Sequence, residues 1–133
     1  MIDRTHRFQG HGSLRFVYQK GQTVRGPFCA LKYIVNNRRK QYRVAVVVSR
    51  KVHKSAVVRN RIRRRIYEIV RTNADNISRP YDLVITAYSD QLAIMPAEQL
   101  NQAIAEKLEK AGVLVPSGQR ALEGRGIVEP KEN

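Results

Sequence analysis

Between residues 55 and 71 the apolar positions Val58, Ile62, Ile66 and Ile69 recur at spacings of four, four and three. That is one stripe of an α-helix, and Ser55 stands where an N-cap belongs. Upstream the pattern differs. Residues 28–35, Phe-Cys-Ala-Leu-Lys-Tyr-Ile-Val, and residues 43–49, centred on Val-Ala-Val-Val-Val, are rich in strand-forming side chains. The polar turn Asn36-Asn37-Arg38-Arg39-Lys40 between them predicts a hairpin. Residues 82–88 predict a third, central strand after a loop over 73–80. A short first helix is expected over 13–20, capped by Ser13 and stopped by Gly21, with Leu14, Val17 and Tyr18 on one side and Phe16 off it. Pro96 precedes a last helix over 97–111, which carries Leu100, Ile104 and Leu108 on one face and ends at Gly112.

The predicted order is α-β-β-α-β-α. A sheet of three or four strands must bury a face against helices, so the expected class is α+β, a two-layer sandwich with a small central sheet. The step from 43–49 through 55–71 to 82–88 is a β-α-β crossover. Residues 1–112 read as a single domain. From 113 onward glycines 118, 124 and 126 and prolines 116 and 130 punctuate a mixed stretch, which is expected to be a flexible tail over 113–133.

Charge changes the picture more than composition does. The 133 residues carry a net +14 with a pI near 10.6, and 42% of them are hydrophobic, enough for a core. No acidic residue occurs between Asp3 and Glu68, and 18 of the 25 Lys and Arg fall in that gap. Unbroken like charge repels itself, so such a half implies a polyanionic partner. No apolar run of about 18 residues predicts a membrane span, and no apolar core follows the first residues as in a secretory signal. The expectation is a soluble, cytoplasmic protein without a membrane partner. One cysteine, Cys29, rules out an internal disulfide framework, and His6, His11 and His53 have no zinc-ligand spacing.

Candidate chemistry concentrates on helix 55–71. Its side away from the apolar stripe carries Asn60, Arg64 and Arg71, flanked by Arg63 and Tyr67, with Arg59, Arg61 and Arg65 nearer the stripe's edges. Guanidinium forks grip phosphates bidentately, and an amide pairs with a base edge or a sugar hydroxyl. Arg50, Lys51 and Lys54 before the helix, and Arg38, Arg39 and Lys40 in the turn, extend the surface. A merely solvated helix face would need acidic i,i+4 partners, and only Glu68 is available. No Ser-His-Asp set or paired carboxylates are visible, and Asp82, Asp90 and Glu98 are scattered. His53 has no partner for general-base work. Phe28 and Cys29 read as core. Tyr18 reads either as core or as a ring facing a cleft.

The stretch from Val46 to Glu68, with Ser49-Arg50-Lys51 ending a strand and Ala56-Val-Val-Arg59-Asn60-Arg61-Ile62-Arg63-Arg64 opening the helix, resembles the signature of the bacterial ribonuclease P protein subunit. The resemblance extends over residues 7–111, through Arg7-Phe8, Phe16–Gly21 and Tyr81–Ile85. It implies a small basic partner of a catalytic RNA that removes the 5′ leader of precursor transfer RNA, with no catalytic residue on the protein and no obligate protein partner. The Mg²⁺ ions of the chemistry would be held mainly by the RNA. The resemblance assigns Arg59, Asn60, Arg61, Arg63 and Arg64 to the catalytic RNA, and Arg50, Lys51 and Lys54 are expected to extend that RNA-binding surface. It assigns Leu14, Tyr18 and Leu31 to a leader cleft between the first helix and the sheet, and it implies a left-handed crossover. Leu14 and Leu31 stand where some relatives carry aromatic residues, so the grip on the leader is expected to rest more on Phe16, Tyr18 or Tyr33 and on nearby cations. Tyr67 stands where a basic residue is common. Two other readings compete: a structural RNA binder of the ribosomal kind, and a duplex-DNA reader using helix 55–71, although a strand and loop precede that helix where a helix-turn-helix would have another helix.

Overall fold

A computed structural model describes residues 4–8 and 12–114. The elements are α1 (Gly12–Lys20), β1 (Gln22–Arg25), β2 (Cys29–Val35), β3 (Arg43–Val48), α2 (Ala56–Thr72), β4 (Tyr81–Ala87) and α3 (Ala97–Lys110), with short 3₁₀ turns at Arg4–His6, Ala74–Asn76 and Asp90–Ala93. The α+β class expected from the pattern holds, and most boundaries lie within a residue of expectation. α1 opens at Gly12, one residue ahead of the expected Ser13 cap, whose side chain lies outside the described set. Ser55 does cap α2, its side chain accepting from the Val58 amide at 3.4 Å.

The hairpin expected between 28–35 and 43–49 does not form. The sheet order is β1-β2-β4-β3, so β4 lies between β2 and β3. β2 pairs antiparallel with β4 and also with β1, a four-residue strand that the pattern does not show. β3 pairs parallel with β4 through the α2 crossover. The reason lies in β4 itself. Leu83, Val84 and Ile85 are all at most 2% exposed, so β4 is apolar on both faces and takes the middle of the sheet. The segment 36–42 turns at Asn36–Arg39, where the Arg39 amide donates to Asn36 O at 3.1 Å, and then spans from β2 across to the far edge without pairing the two strands.

Strand alternation divides the sheet into two faces. Cys29 and Leu31 on β2, Val44, Val46 and Val48 on β3, and Leu83, Ile85 and Ala87 on β4 join one core with Ile62, Ile66, Ile69 and Val70 of α2 and Leu100, Ile104 and Leu108 of α3. Each fully buried Val, Leu or Ile among them contributes about 1.5–3 kcal/mol. α1 crosses the opposite face, where Val17 and Val84 are both fully buried and Ala30 nearly so. On that face Arg43 and Asp82 form a buried ion pair, with Arg43 Nε donating to Oδ1 at 3.0 Å and Nη2 to Oδ2 at 2.9 Å. Asn36 Nδ2 donates to the same carboxylate at 3.0 Å, and the Phe8 ring lies 4.6 Å from the Arg43 guanidinium carbon.

The tail boundary at 113 falls too early. Gly112, at φ +79°, ends α3 as expected, but Val113 and Leu114 are buried, and Leu114 bridges Ile77. The rest of the expected tail, 115–133, lies outside the described residues.

Candidate nucleic-acid interface

α2 docks on the sheet through its isoleucines, so its polar side is held outward by a rigid core. The arginines on it divide into two sets. Arg59, Arg61 and Arg65 flank the apolar stripe and reach the protein's own backbone. Arg59 Nη1 donates to the carbonyls of His53 and Lys54, both at 2.9 Å. Arg61 Nε donates to Ala93 O at 2.9 Å, and Arg65 donates to Leu92 O at 2.7 Å and to Met95 O. Burial and the neighbouring Arg61 charge lower the Arg65 pKa from its ordinary value, although a guanidinium stays cationic. The Arg61 and Arg65 bonds fix the Asp90–Ala93 turn to α2, and those of Arg59 hold the loop before the helix.

The second set faces solvent. Val57, Asn60, Arg63, Arg64 and Tyr67 line a shallow depression on the outer face of α2. Arg63 donates to Asn60 Oδ1, and the exposed Arg64 has no hydrogen-bond partner among the described residues. Tyr67 is half-buried, and its hydroxyl accepts from the Val46 amide at 3.3 Å, so it pins α2 to β3. The one carboxylate of the helix, Glu68, is paired with Arg71, whose hydrogen bond and charge hold its carboxyl below the ordinary range. Among the described residues no carboxylate pairs with Arg59, Arg61, Arg63, Arg64 or Arg65. Arg50, Lys51 and Lys54 precede the helix as exposed side chains, and His53 Nδ1 accepts from the Ser55 amide at 3.0 Å, shaping that loop.

Around α1 the expected cleft has different walls. Leu31 is 1% exposed and packs with Ile85, Ile104 and Leu108 on the α3 side of the sheet. Tyr33 shares that side, its ring 6.3 Å from Tyr81 in an edge contact and its hydroxyl donating to Gln22 at 2.9 Å. Burial and Tyr81 push its phenol up. Neither residue faces α1. Strand parity is the reason: the β2 positions beneath α1 are the even ones, and Lys32 is there, its Nζ 5.8 Å from the centroid of the Tyr18 ring. Tyr18 is 42% exposed and Leu14 half-buried, one helical turn apart on the same side of α1. Phe16, 46% exposed, lies about 200° around α1 from Tyr18 and borders a separate cleft with Val35, Asn36, Asn37 and Arg38. Lys32 is the neighbour of Tyr18 that sequence reasoning missed, and a one-residue shift in strand parity would have found it.

Fold and site together define a small, basic α+β protein that displays guanidinium groups from a rigid helix docked on a mixed sheet. The family model described as Ribonuclease P matches residues 2–112, and the chain belongs to the ribonuclease P protein family. A ribonuclease P protein component of Clostridium kluyveri is 36% identical over 110 residues, spanning 81% of this chain and 96% of that relative. One from Desulfosudis oleivorans is 35% identical over 104 residues, spanning 78% and 84%. Among solved structures, the Staphylococcus aureus RNase P protein superposes with a TM-score of 0.73 at 24% identity, covering 83% of this chain and 98% of that one. The Thermotoga maritima RNase P protein gives 0.69 at 19%, covering 78% and 96%. At those identities the structures establish the shared fold.

Proposed function

We propose that this chain is the protein component of ribonuclease P, binding the catalytic RNA through α2 and the 5′ leader of precursor transfer RNA beside α1. The observation that carries the reading is the outer face of α2, where Asn60, Arg63 and Arg64 are presented on a fixed scaffold with no carboxylate paired to them among the described residues. Each phosphate they grip releases counterions, which ties affinity to salt. Arg50, Lys51 and Lys54 extend this surface. Arg59 and Arg61 hold the loop and the Asp90–Ala93 turn in place and offer their remaining N–H groups to the RNA.

The leader's place is the groove of Tyr18, Leu14 and Lys32. A base stacks on the Tyr18 ring while the Lys32 ammonium, already above that ring, meets the adjoining phosphate. The protein supplies binding and orientation. Among the described residues no three His, Cys, Asp or Glu side chains converge as metal ligands, and Asp82 is committed to Arg43 and Asn36. In this reading the Mg²⁺ ions of phosphodiester hydrolysis are held mainly by the catalytic RNA. No helix among the described residues is long and apolar enough to cross a membrane. The test is cleavage of precursor transfer RNA by the catalytic RNA at near-physiological Mg²⁺, with and without the protein. Acceleration on adding the protein is expected. Equal rates, with RNA binding retained, would favour a purely structural RNA binder.

A further inference from the structure

The register of β2 and β3 against β4 gives the sheet two ends. Cys29, Ala87 and Val48 lie at one, and Val35, Tyr81 and Arg43 at the other. Arg50, Lys51, Lys54 and the first turn of α2 follow β3 and stand at the first end. At the second, a cleft of about 470 Å³ opens between α1 and the turn after β2, within the size range of small-ligand sites. Its one carboxylate, Asp82, is 1% exposed and has both oxygens engaged by Arg43 and Asn36. Asn36 also accepts from the Arg38 amide at 3.2 Å, which fixes the turn. What remains facing the cleft is the exposed Phe16 ring, the Asn37 amide and the Arg38 guanidinium, and neither polar group has a hydrogen-bond partner among the described residues. A flat ring, a bidentate cation and an amide are the three groups that recognise the base, phosphate and base edge of an unpaired nucleotide.

We propose that this cleft is a second nucleotide site: one unpaired nucleotide stacks on Phe16, places its phosphate on Arg38 and meets Asn37 at its base edge or ribose. The inference rests on reading the chain as an RNA-binding component and extends RNA contact to the end of the sheet remote from the start of α2. Tyr18 faces the other side of α1, so this nucleotide is not the one in the Tyr18 groove.

Two RNAs carry unpaired nucleotides that fit, the precursor leader and the catalytic RNA, and two equilibria separate them. One is assembly of the full-length protein with the catalytic RNA. The other is binding of long-leader precursor and of mature transfer RNA to the assembled enzyme. Phe16→Ala is expected to weaken one of these about tenfold, and Phe16→Tyr to restore it. Arg38→Ala, an exposed substitution that keeps the test open if Phe16→Ala unfolds, should flatten the salt dependence of the same equilibrium by about one log–log unit. Loss confined to long-leader precursor assigns the nucleotide to the leader. Loss in assembly assigns it to the catalytic RNA. Unchanged affinity in both equilibria, with folded Phe16→Ala and Arg38→Ala proteins, overturns the proposal. Arg64→Ala measured in parallel separates the failures: if it still weakens assembly, only the second site falls, and if it too is silent, the RNA-binding reading falls with it.

Discussion

Arg64 and Arg65 are neighbours of the same residue type with different physical duties. Arg65 supplies donors to Leu92 O and Met95 O, so Arg65→Ala leaves two carbonyls short of a charged partner. A loss of about 1–3 kcal/mol in urea unfolding is expected. Arg64 touches nothing comparable, and Arg64→Ala should stay within about 0.5 kcal/mol of the parent while weakening assembly with the catalytic RNA. The reverse pattern would exchange their roles. A second test at this scale concerns the Arg43–Asp82 pair, whose side chains are 8% and 1% exposed. Asp82→Ala strands a buried guanidinium under the Phe8 ring, and a stability loss of about 3–5 kcal/mol is expected by the same measurement. A loss below about 1 kcal/mol would mean that water reaches Arg43.

Elements are more legible in the sequence than their neighbours in space. Val58, Ile62, Ile66 and Ile69 announce α2 because helix period is a local property, and Ser55 and Gly112 mark ends through local backbone chemistry. The pairing of β2 with β4 is not local: residues 29–35 and 81–87 meet across the whole of β3 and α2, and nothing in 36–42 says that the chain must reach past a strand not yet made. Leu31 faces away from its expected cleft for a related reason. A run apolar on both sides carries no alternation to fix its parity, and the one polar member, Lys32, is the clue to the α1 side. The carbonyl partners of Arg61 and Arg65 belong to a 3₁₀ turn about thirty residues downstream, beyond the reach of helix periodicity. The outer face of α2, by contrast, is readable from spacing alone, and it yields a prediction for the element as a unit. Arg63→Ala with Arg64→Ala should reduce the slope of log K against log salt for assembly by about two, one for each phosphate no longer gripped. A slope equal to that of the parent would show that those guanidiniums meet no phosphate.

Across the whole molecule, the charge division of the chain becomes a division of surfaces. Residues 1–67 hold 18 of the 25 basic side chains, and that half builds α1, β1, β2, β3 and most of α2, whereas the acidic residues of α3 line its outer face. The sheet separates the two proposed RNA-binding surfaces, since α2 packs on one face and α1 on the other. Side chains that share no partner and lie across a packed sheet act independently, so their free-energy changes add to within about 0.5 kcal/mol. Tyr18→Ala should weaken binding of precursor to the assembled enzyme and leave mature transfer RNA unaffected. Arg64→Ala should weaken assembly and leave precursor affinity of the assembled enzyme near the parent value. The double variant should show the sum in overall precursor capture. A coupling above about 1 kcal/mol would mean that a single RNA segment bridges both faces, or that the sheet transmits strain between them, and the separation drawn from its topology would then be wrong.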